Sequence, residues 1–249
     1  MMRPSLSPFL FPSLAVLALT LAACDRKAEL APVPAPVPEA KASPSDTAMT
    51  SAGAAVDAVT IPPAGQQGGA DQWRKVASTE DQDRIAGLDG AWGAALSEAD
   101  TEYGAVIDAK GMLLVPRAAL PGNLQPGPGT YRCRTIKIGS MDGKGLAYVE
   151  YPWFKCSIQL TPGGDLILAK TTGSQRTRGL LYPDAGNANR LVFIGAQAWG
   201  MDETGFPTYG QMPERDQVGV FERIGTERWR LVVPFPKQES KLDVLELKK

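Results

Sequence analysis

Residues 129–160 read GTYRCRTIKIGSMDGKGLAYVEYPWFKCSIQL. Two runs rich in β-branched and aromatic residues flank Gly139, Gly143 and Gly145. Strand-forming runs around a glycine-rich turn are the sequence form of a β-hairpin. Each run carries one cysteine, Cys133 and Cys156. The hairpin is expected to seed an all-β domain, and the cysteines to staple it.

Strand signals continue downstream every 8 to 14 residues. TPGGD at 161–165 is a tight turn, followed by strands over 166–171 and 177–182. PDAGN at 183–187 turns the chain into a continuous apolar strand over 190–199. Runs 218–223 and 228–233 form a hairpin around Gly225, with Trp229 and Leu231 facing in. Residues 241–247 close the chain, with Leu242 and Val244 on one face. About eight short, locally connected strands commonly close into a barrel or a two-layer sandwich, because closure hides sheet edges. The expected fold is mainly β: a small antiparallel up-and-down β-barrel or sandwich with one N-terminal amphipathic α-helix.

That helix is expected after Ser78, with Thr79 and Gln82 at capping-box spacing and acidic residues in the first turn. Ile85, Leu88, Trp92, Ala95, Leu96 and Ala99 then recur at three- and four-residue steps. Gly87, Gly90 and Gly93 weaken it by about 1 kcal/mol each relative to alanine, so Trp92 and its neighbours must dock on the sheet. Residues 101–128 lack a period and hold four prolines, which suits a wrapping connector.

The first 70 residues have another character. Arg3 precedes an apolar run from Phe9 to Leu21, followed by Leu21-Ala22-Ala23-Cys24. The run is short for a membrane span, which needs about 20 residues, and 1–23 reads as a signal peptide. Its end resembles a bacterial lipobox, which implies lipidation of Cys24 with acyl chains such as palmitate; the rival reading is a secretory signal with a chance cysteine. Asp25 resembles an inner-membrane retention signal of enteric lipoproteins, and both membranes stay open. Residues 24–70, rich in Ala, Pro, Ser and Gly, read as the anchor and a disordered linker, leaving 71–249 as the folded domain.

Composition excludes several chemistries. The chain of 249 residues has 26 basic and 27 acidic residues; without Arg3 the balance is 25 against 27. A non-specific nucleic-acid binder needs a basic face, so no nucleic-acid partner is expected. There is no histidine, which removes Ser-His-Asp and Cys-His catalysis and the commonest metal ligand. Cys133 and Cys156 lie 23 positions apart, and an exported context permits a disulfide worth about 3–4 kcal/mol. Free thiols or a metal pair are the rivals, but a structural zinc site lacks further ligands. Cys156 alternates with Phe154 and Ile158, while the mixed 131–138 run leaves room for a bulge.

No G-x-S-x-G, P-loop or G-x-G-x-x-G occurs, and Lys170-Thr171-Thr172-Gly173 has no S-x-x-K beside it. Carboxylates gather at Asp184, Asp202, Glu203, Glu214 and Asp216, either as solvated loop charges or as a glycosidase-type pair. The distinctive polar patches are Gly173-Ser174-Gln175-Arg176 and Pro213-Glu214-Arg215-Asp216. Ser174, Gln175, Arg176, Glu214, Arg215 and Asp216 are the candidate binding-loop residues; an arginine beside a carboxylate is also the form of a structural ion pair.

These two patches, with Asp71-Gln72-Trp73-Arg74-Lys75-Val76-Ala77, Tyr131-Arg132-Cys133-Arg134, Phe154-Lys155-Cys156 and Trp229-Arg230-Leu231, resemble an uncharacterised family, domain of unknown function 4893, of alphaproteobacterial envelope proteins. The resemblance spans about 71–247 and implies no activity. A lipid-anchored barrel with one disulfide also looks like periplasmic inhibitors of lysozyme and of metalloproteases, an analogy of fold. The expectation is a non-enzymatic, periplasm-facing envelope lipoprotein that binds or scaffolds, without cofactor or metal. The expected partners are the membrane, through the lipid, and a periplasmic protein or small lipophilic ligand. The alternatives are a hydrolase inhibitor and a histidine-free hydrolase using loop carboxylates.

Overall fold

The computed structural model describes residues 72–249. The signal peptide, Cys24 and the linker lie outside the described residues.

Three helices stand where one was expected: α1 (Gln72–Val76), α2 (Thr79–Ala86) and α3 (Leu88–Asp108). Capping explains the division. Ser78, not Thr79, caps α2, its Oγ accepting from the Asp81 N–H at 3.2 Å. Gln82 Nε2 reaches back to the carbonyls of Arg74 (2.9 Å) and Ala77 (3.0 Å), satisfying the end of α1 instead of closing a capping box. Gly87 ends α2 and begins α3. The helix also runs further than its apolar stripe, because Tyr103 stacks on Tyr148 with ring centroids 5.5 Å apart and Ile107 packs on the same cluster. The wrapping connector therefore starts near Ala109 rather than Thr101.

Among the described residues nine strands follow: β1 (Gly129–Ser140), β2 (Tyr148–Glu150), β3 (Phe154–Leu160), β4 (Leu166–Lys170), β5 (Gln175–Pro183), β6 (Arg190–Trp199), β7 (Asp216–Gly225), β8 (Arg228–Pro234) and β9 (Ser240–Lys248). All pairings are antiparallel, and β9 returns to β1, so β1 and β3 to β9 close an eight-stranded barrel. The extra strand, β2, pairs only with β1, where β3 has left that edge. Pro152, without an N–H to donate, lies in the break between them.

Side chains alternate between the barrel interior and its outer wall. Inside, Tyr131, Leu168, Phe193, Phe221, Trp229 and Leu247 fill one end. That end is stoppered by the connector: Trp229 Nε1 donates to the Leu124 carbonyl (2.9 Å) and the Tyr131 hydroxyl to that of Gly127 (2.6 Å). Cys133 and Cys156 are disulfide-bonded inside this core, with Cα atoms 5.8 Å apart. Tyr131 lies opposite Cys156 and Cys133 opposite Phe154, a regular register without a bulge at the cysteines. Where β5 meets β6, Gly179 and Gly195 face each other, and a Cβ on either would fall within 2.3 Å of a carbonyl oxygen across the pair.

The outer wall is covered in two places. Trp92, Ala95 and Ala99 of α3 pack on Ile136, Ile138 and Val244. Trp73, Ala77 and Ile85 pack on Val192, Ile194 and Val220. Burial on both faces explains the unbroken apolar run of 190–199. Leu242 and Val244 do share a face; it is the outer one, under α3.

Candidate functional site

The end of the barrel away from Trp229 is hollow. A cavity of about 270 Å³ opens there, floored by Leu231, Val233 and Leu245. Its walls carry Thr135, Thr177, Gln197 and Gln217, each on a different strand. Tyr151, Phe154, Ser174, Gln175 and Glu239 also line it.

Lys170, at the end of β4, is the cation of this cavity and is only 5% exposed. Its Nζ donates to the Gln175 carbonyl at 2.5 Å and lies 4.0 Å from the centre of the Phe154 ring. Among the described residues no carboxylate lies within ion-pair distance of it. Burial, with Arg176 and Lys137 nearby, pushes the Lys170 ammonium down to about 8. Gly173 shapes the adjoining turn at φ +91°, and a Cβ there would lie 2.9 Å from both Lys170 Nζ and the Phe154 ring. Glycine is required on both counts.

The β9 side of the cavity carries two carboxylates, both engaged by neighbouring side chains. Asp243 accepts from Lys137 Nζ (2.9 Å) and from the Ser240 hydroxyl (2.5 Å). Glu239 lies 3.3 Å from Lys137 Nζ and accepts from Gln175 Nε2 at 3.1 Å. Burial works against the Lys137 ammonium, but Asp243 and Glu239 outweigh it and raise its pKa. Glu239 (φ 69°) and Phe235 (φ 44°) hold left-handed backbone in the β8–β9 turn, a conformation that costs free energy in a non-glycine residue.

Thr177 on this wall is 6% exposed, yet among the described residues its buried Oγ1 has no hydrogen-bond partner. Such a group is costly unless something else bonds it. Gln197 accepts from Trp199 Nε1 through its side-chain carbonyl (2.9 Å), which leaves both amide N–H donors for other partners.

The six loop residues singled out from sequence divide. Ser174 and Gln175 line the cavity. Arg176 turns away, donating to the Glu203 carbonyl (2.5 Å) and stacking on Phe206. Glu214, Arg215 and Asp216 border a neighbouring crevice of about 10 Å³. There Arg215 pairs with Glu203 (2.6 Å) over the Trp199 ring, and Asp216 accepts from the Gly210 N–H (2.9 Å). This patch pins the β6–β7 loop rather than lining the cavity. Asp184 is likewise held, by Arg190 at 2.7 Å.

Sequence reading missed Lys137, Lys170, Thr177, Gln197, Gln217, Glu239 and Asp243 as site residues. A signal existed in part: Gln175, Thr177 and Gln197 are polar residues at inward positions of strands whose other inward residues include Leu181, Leu191 and Phe193. Among the described residues, no cluster of three or more His, Cys, Asp or Glu side chains is arranged to hold a metal, and no helix is long and apolar enough to cross a membrane.

No curated protein and no solved structure matches the chain. A family model does match, that of the Domain of unknown function (DUF4893), over residues 73–247, which takes in all but the first residue of α1, the barrel up to the penultimate residue of β9 and every residue of the cavity; the chain belongs to that family.

Proposed function

We propose that this chain is a non-enzymatic, lipid-anchored envelope protein whose barrel faces the periplasm and takes a small solute into its open end. The observation that carries the reading is the hollow, polar half of a barrel whose other half is packed. The buried Thr177 hydroxyl and the Lys170 ammonium lack, within the described chain, the partner each calls for. A cavity with few convergent polar groups over an apolar floor is the usual form of a ligand site. The carboxylates of the cavity, Asp243 and Glu239, are engaged by Lys137, Ser240 and Gln175, which favours binding over acid–base turnover. The lipobox-like Leu21-Ala22-Ala23-Cys24 supplies the anchoring part of the reading.

Two measurements test it. The full-length protein, extracted from its native envelope in mild detergent, is expected to carry a small molecule that dissociates on collisional activation in native mass spectrometry. Only the bare protein mass, together with no change in melting temperature across a panel of neutral, cationic and anionic small metabolites, removes the binding reading. Cys24→Ser is expected to move the protein from the membrane to the soluble fraction; retention on the membrane removes the anchor.

A further inference from the structure

We propose that the solute is a small organic monocarboxylate, seated with its carboxylate on Lys170 and Thr177 and its short aliphatic chain on Leu231, Val233 and Leu245. The proposal rests on the binding reading above and adds the class of ligand.

Charge is the first argument. A buried ammonium without a carboxylate is costly, and an anion brought by the ligand is what offsets the cost. Lys170 Nζ has three donors, of which one is used on the Gln175 carbonyl. Thr177, also on β5, offers a hydroxyl donor whose bonding capacity is unused. Gln197, with its carbonyl occupied, adds donors to the same wall. The groups that favour an anion therefore come from β4, β5 and β6 together.

The second argument is the opposite wall. Glu239 and Asp243 share one lysine, Lys137, and are bonded further by Gln175 and Ser240. Among the described residues that side offers a second carboxylate only a lysine already shared by two, so the ligand carries one carboxylate rather than two. The third argument is the floor, which is aliphatic and rewards burial of a chain by about 0.8 kcal/mol per methylene. At about 270 Å³ the cavity is at the small end of ligand pockets.

The Lys170 ammonium is charged in most molecules at neutral pH and loses its proton through about pH 8. The charged and titratable groups around the cavity are Lys137 on β1, Tyr151 before β3, Arg176 on β5, Glu239 before β9 and Asp243 on β9. A loss of anion binding as the pH rises through about 8 that is absent from Lys170→Met therefore reports Lys170.

The test is calorimetric titration of the full-length protein, with detergent blanks, using hexanoate, 1-hexanol, hexylammonium and adipate. Hexanoate is expected to bind at least ~10-fold more tightly than the other three, one charge-assisted hydrogen bond being worth about that much. Lys170→Met is expected to cost at least ~10-fold for hexanoate and little for hexanol, while the melting temperature holds or rises, since a buried cation has been removed. Thr177→Val is expected to weaken hexanoate several-fold. Raising the pH from 7 to 9 is expected to weaken hexanoate in the native chain but not in Lys170→Met. Hexanol or hexylammonium binding as tightly as hexanoate overturns the monocarboxylate while leaving the binding reading intact. So does adipate matching hexanoate, or a co-purified ligand without a carboxylate. Silence from every probe and a bare protein mass overturn both.

Discussion

Lys137 and Asp243 face each other inside the barrel where its first and last strands pair, Nζ lying 2.9 Å from Oδ2. Both are more than nine-tenths buried, and they bridge the seam that turns a sheet into a closed cylinder. Removing one member of such a pair strands the other in a dry interior, at about 3–5 kcal/mol, whereas replacing both with apolar residues is often neutral. Asp243→Leu is therefore expected to lower unfolding free energy by roughly that amount, toward the lower end because Glu239 remains near Lys137. Lys137→Met combined with Asp243→Leu is expected to recover most of the loss. Denaturant titration of the single and double variants measures it; a double variant as unstable as the worse single one contradicts the account.

Arg230 pins the α3–β1 connector to the outer wall of the barrel. It is fully buried, donates through Nη1 to the carbonyls of Leu113 (2.9 Å) and Val115 (2.8 Å), and pairs with Glu222 at 2.6 Å. Its guanidinium lies 5.1 Å from the centre of the Trp92 ring, which ties α3 to the same point. Arg230→Met is expected to cost about 3–5 kcal/mol, because Glu222 is left buried without its cation. Arg230→Lys should recover little, since an ammonium cannot reproduce the fork that serves carboxylate and carbonyls together. Hydrogen exchange is expected to rise first at residues 111–116 in both variants; unchanged exchange there argues against the clamp.

Glu98 joins α3 to the barrel rim. It accepts from the Ser140 hydroxyl (2.6 Å) and N–H (3.0 Å) and pairs with Lys241. The bond from Lys241, then those from Ser140, hold its carboxyl down to about 2. A depressed carboxyl pKa stabilises the fold fully above the ordinary glutamate value of 4.5, and the contribution fades as pH falls through about 2. The melting temperature of the native chain is thus expected to fall between pH 4.5 and 2, and Glu98→Gln to show a shallower decline over that window. Equal slopes for the two proteins would exclude Glu98 as a source of acid sensitivity.

The Cys133–Cys156 bridge closes a 23-position loop in the packed half of the barrel. Cys133→Ala with Cys156→Ala is expected to lower unfolding free energy by about 3–4 kcal/mol, by restoring entropy to the unfolded chain. Both sulfurs are shielded, with at most 1% exposure of either residue, so dithiothreitol is expected to reduce the bond only in step with global unfolding. Fast reduction under native conditions, followed by thiol labelling, would contradict that burial.

The strands were legible because each is written locally. Leu166 to Lys170, Arg190 to Trp199 and Arg228 to Pro234 were expected within a residue of their observed limits, since turns at 161–165, 183–187 and Gly225 bound them. The helical region was less legible: Ser78 and Gly87 divide the amphipathic stretch, and Tyr103 extends it by a contact with Tyr148, more than 40 residues away. Ser174 and Gln175 stood out as a polar loop and do line the cavity, while Arg215 and Asp216 stood out equally and serve the β6–β7 loop. Composition alone cannot separate an arginine that clamps a loop from one that meets a ligand.

By itself the sequence determined an antiparallel β domain, its approximate strands and turns, and the two cysteines able to staple it, because alternation and turn chemistry are properties of neighbouring residues. Closure and the site were decided only in three dimensions. Lys137 lies opposite Asp243, 106 positions away, in the register of the seam, and that register decides which inward residues share a level of the barrel. At one level those residues are Phe193, Phe221 and Trp229, which fill the space; at another they are Lys170, Thr177 and Gln197, which leave it open. No local pattern carries that difference, since it depends on the stagger of eight strands around a common axis.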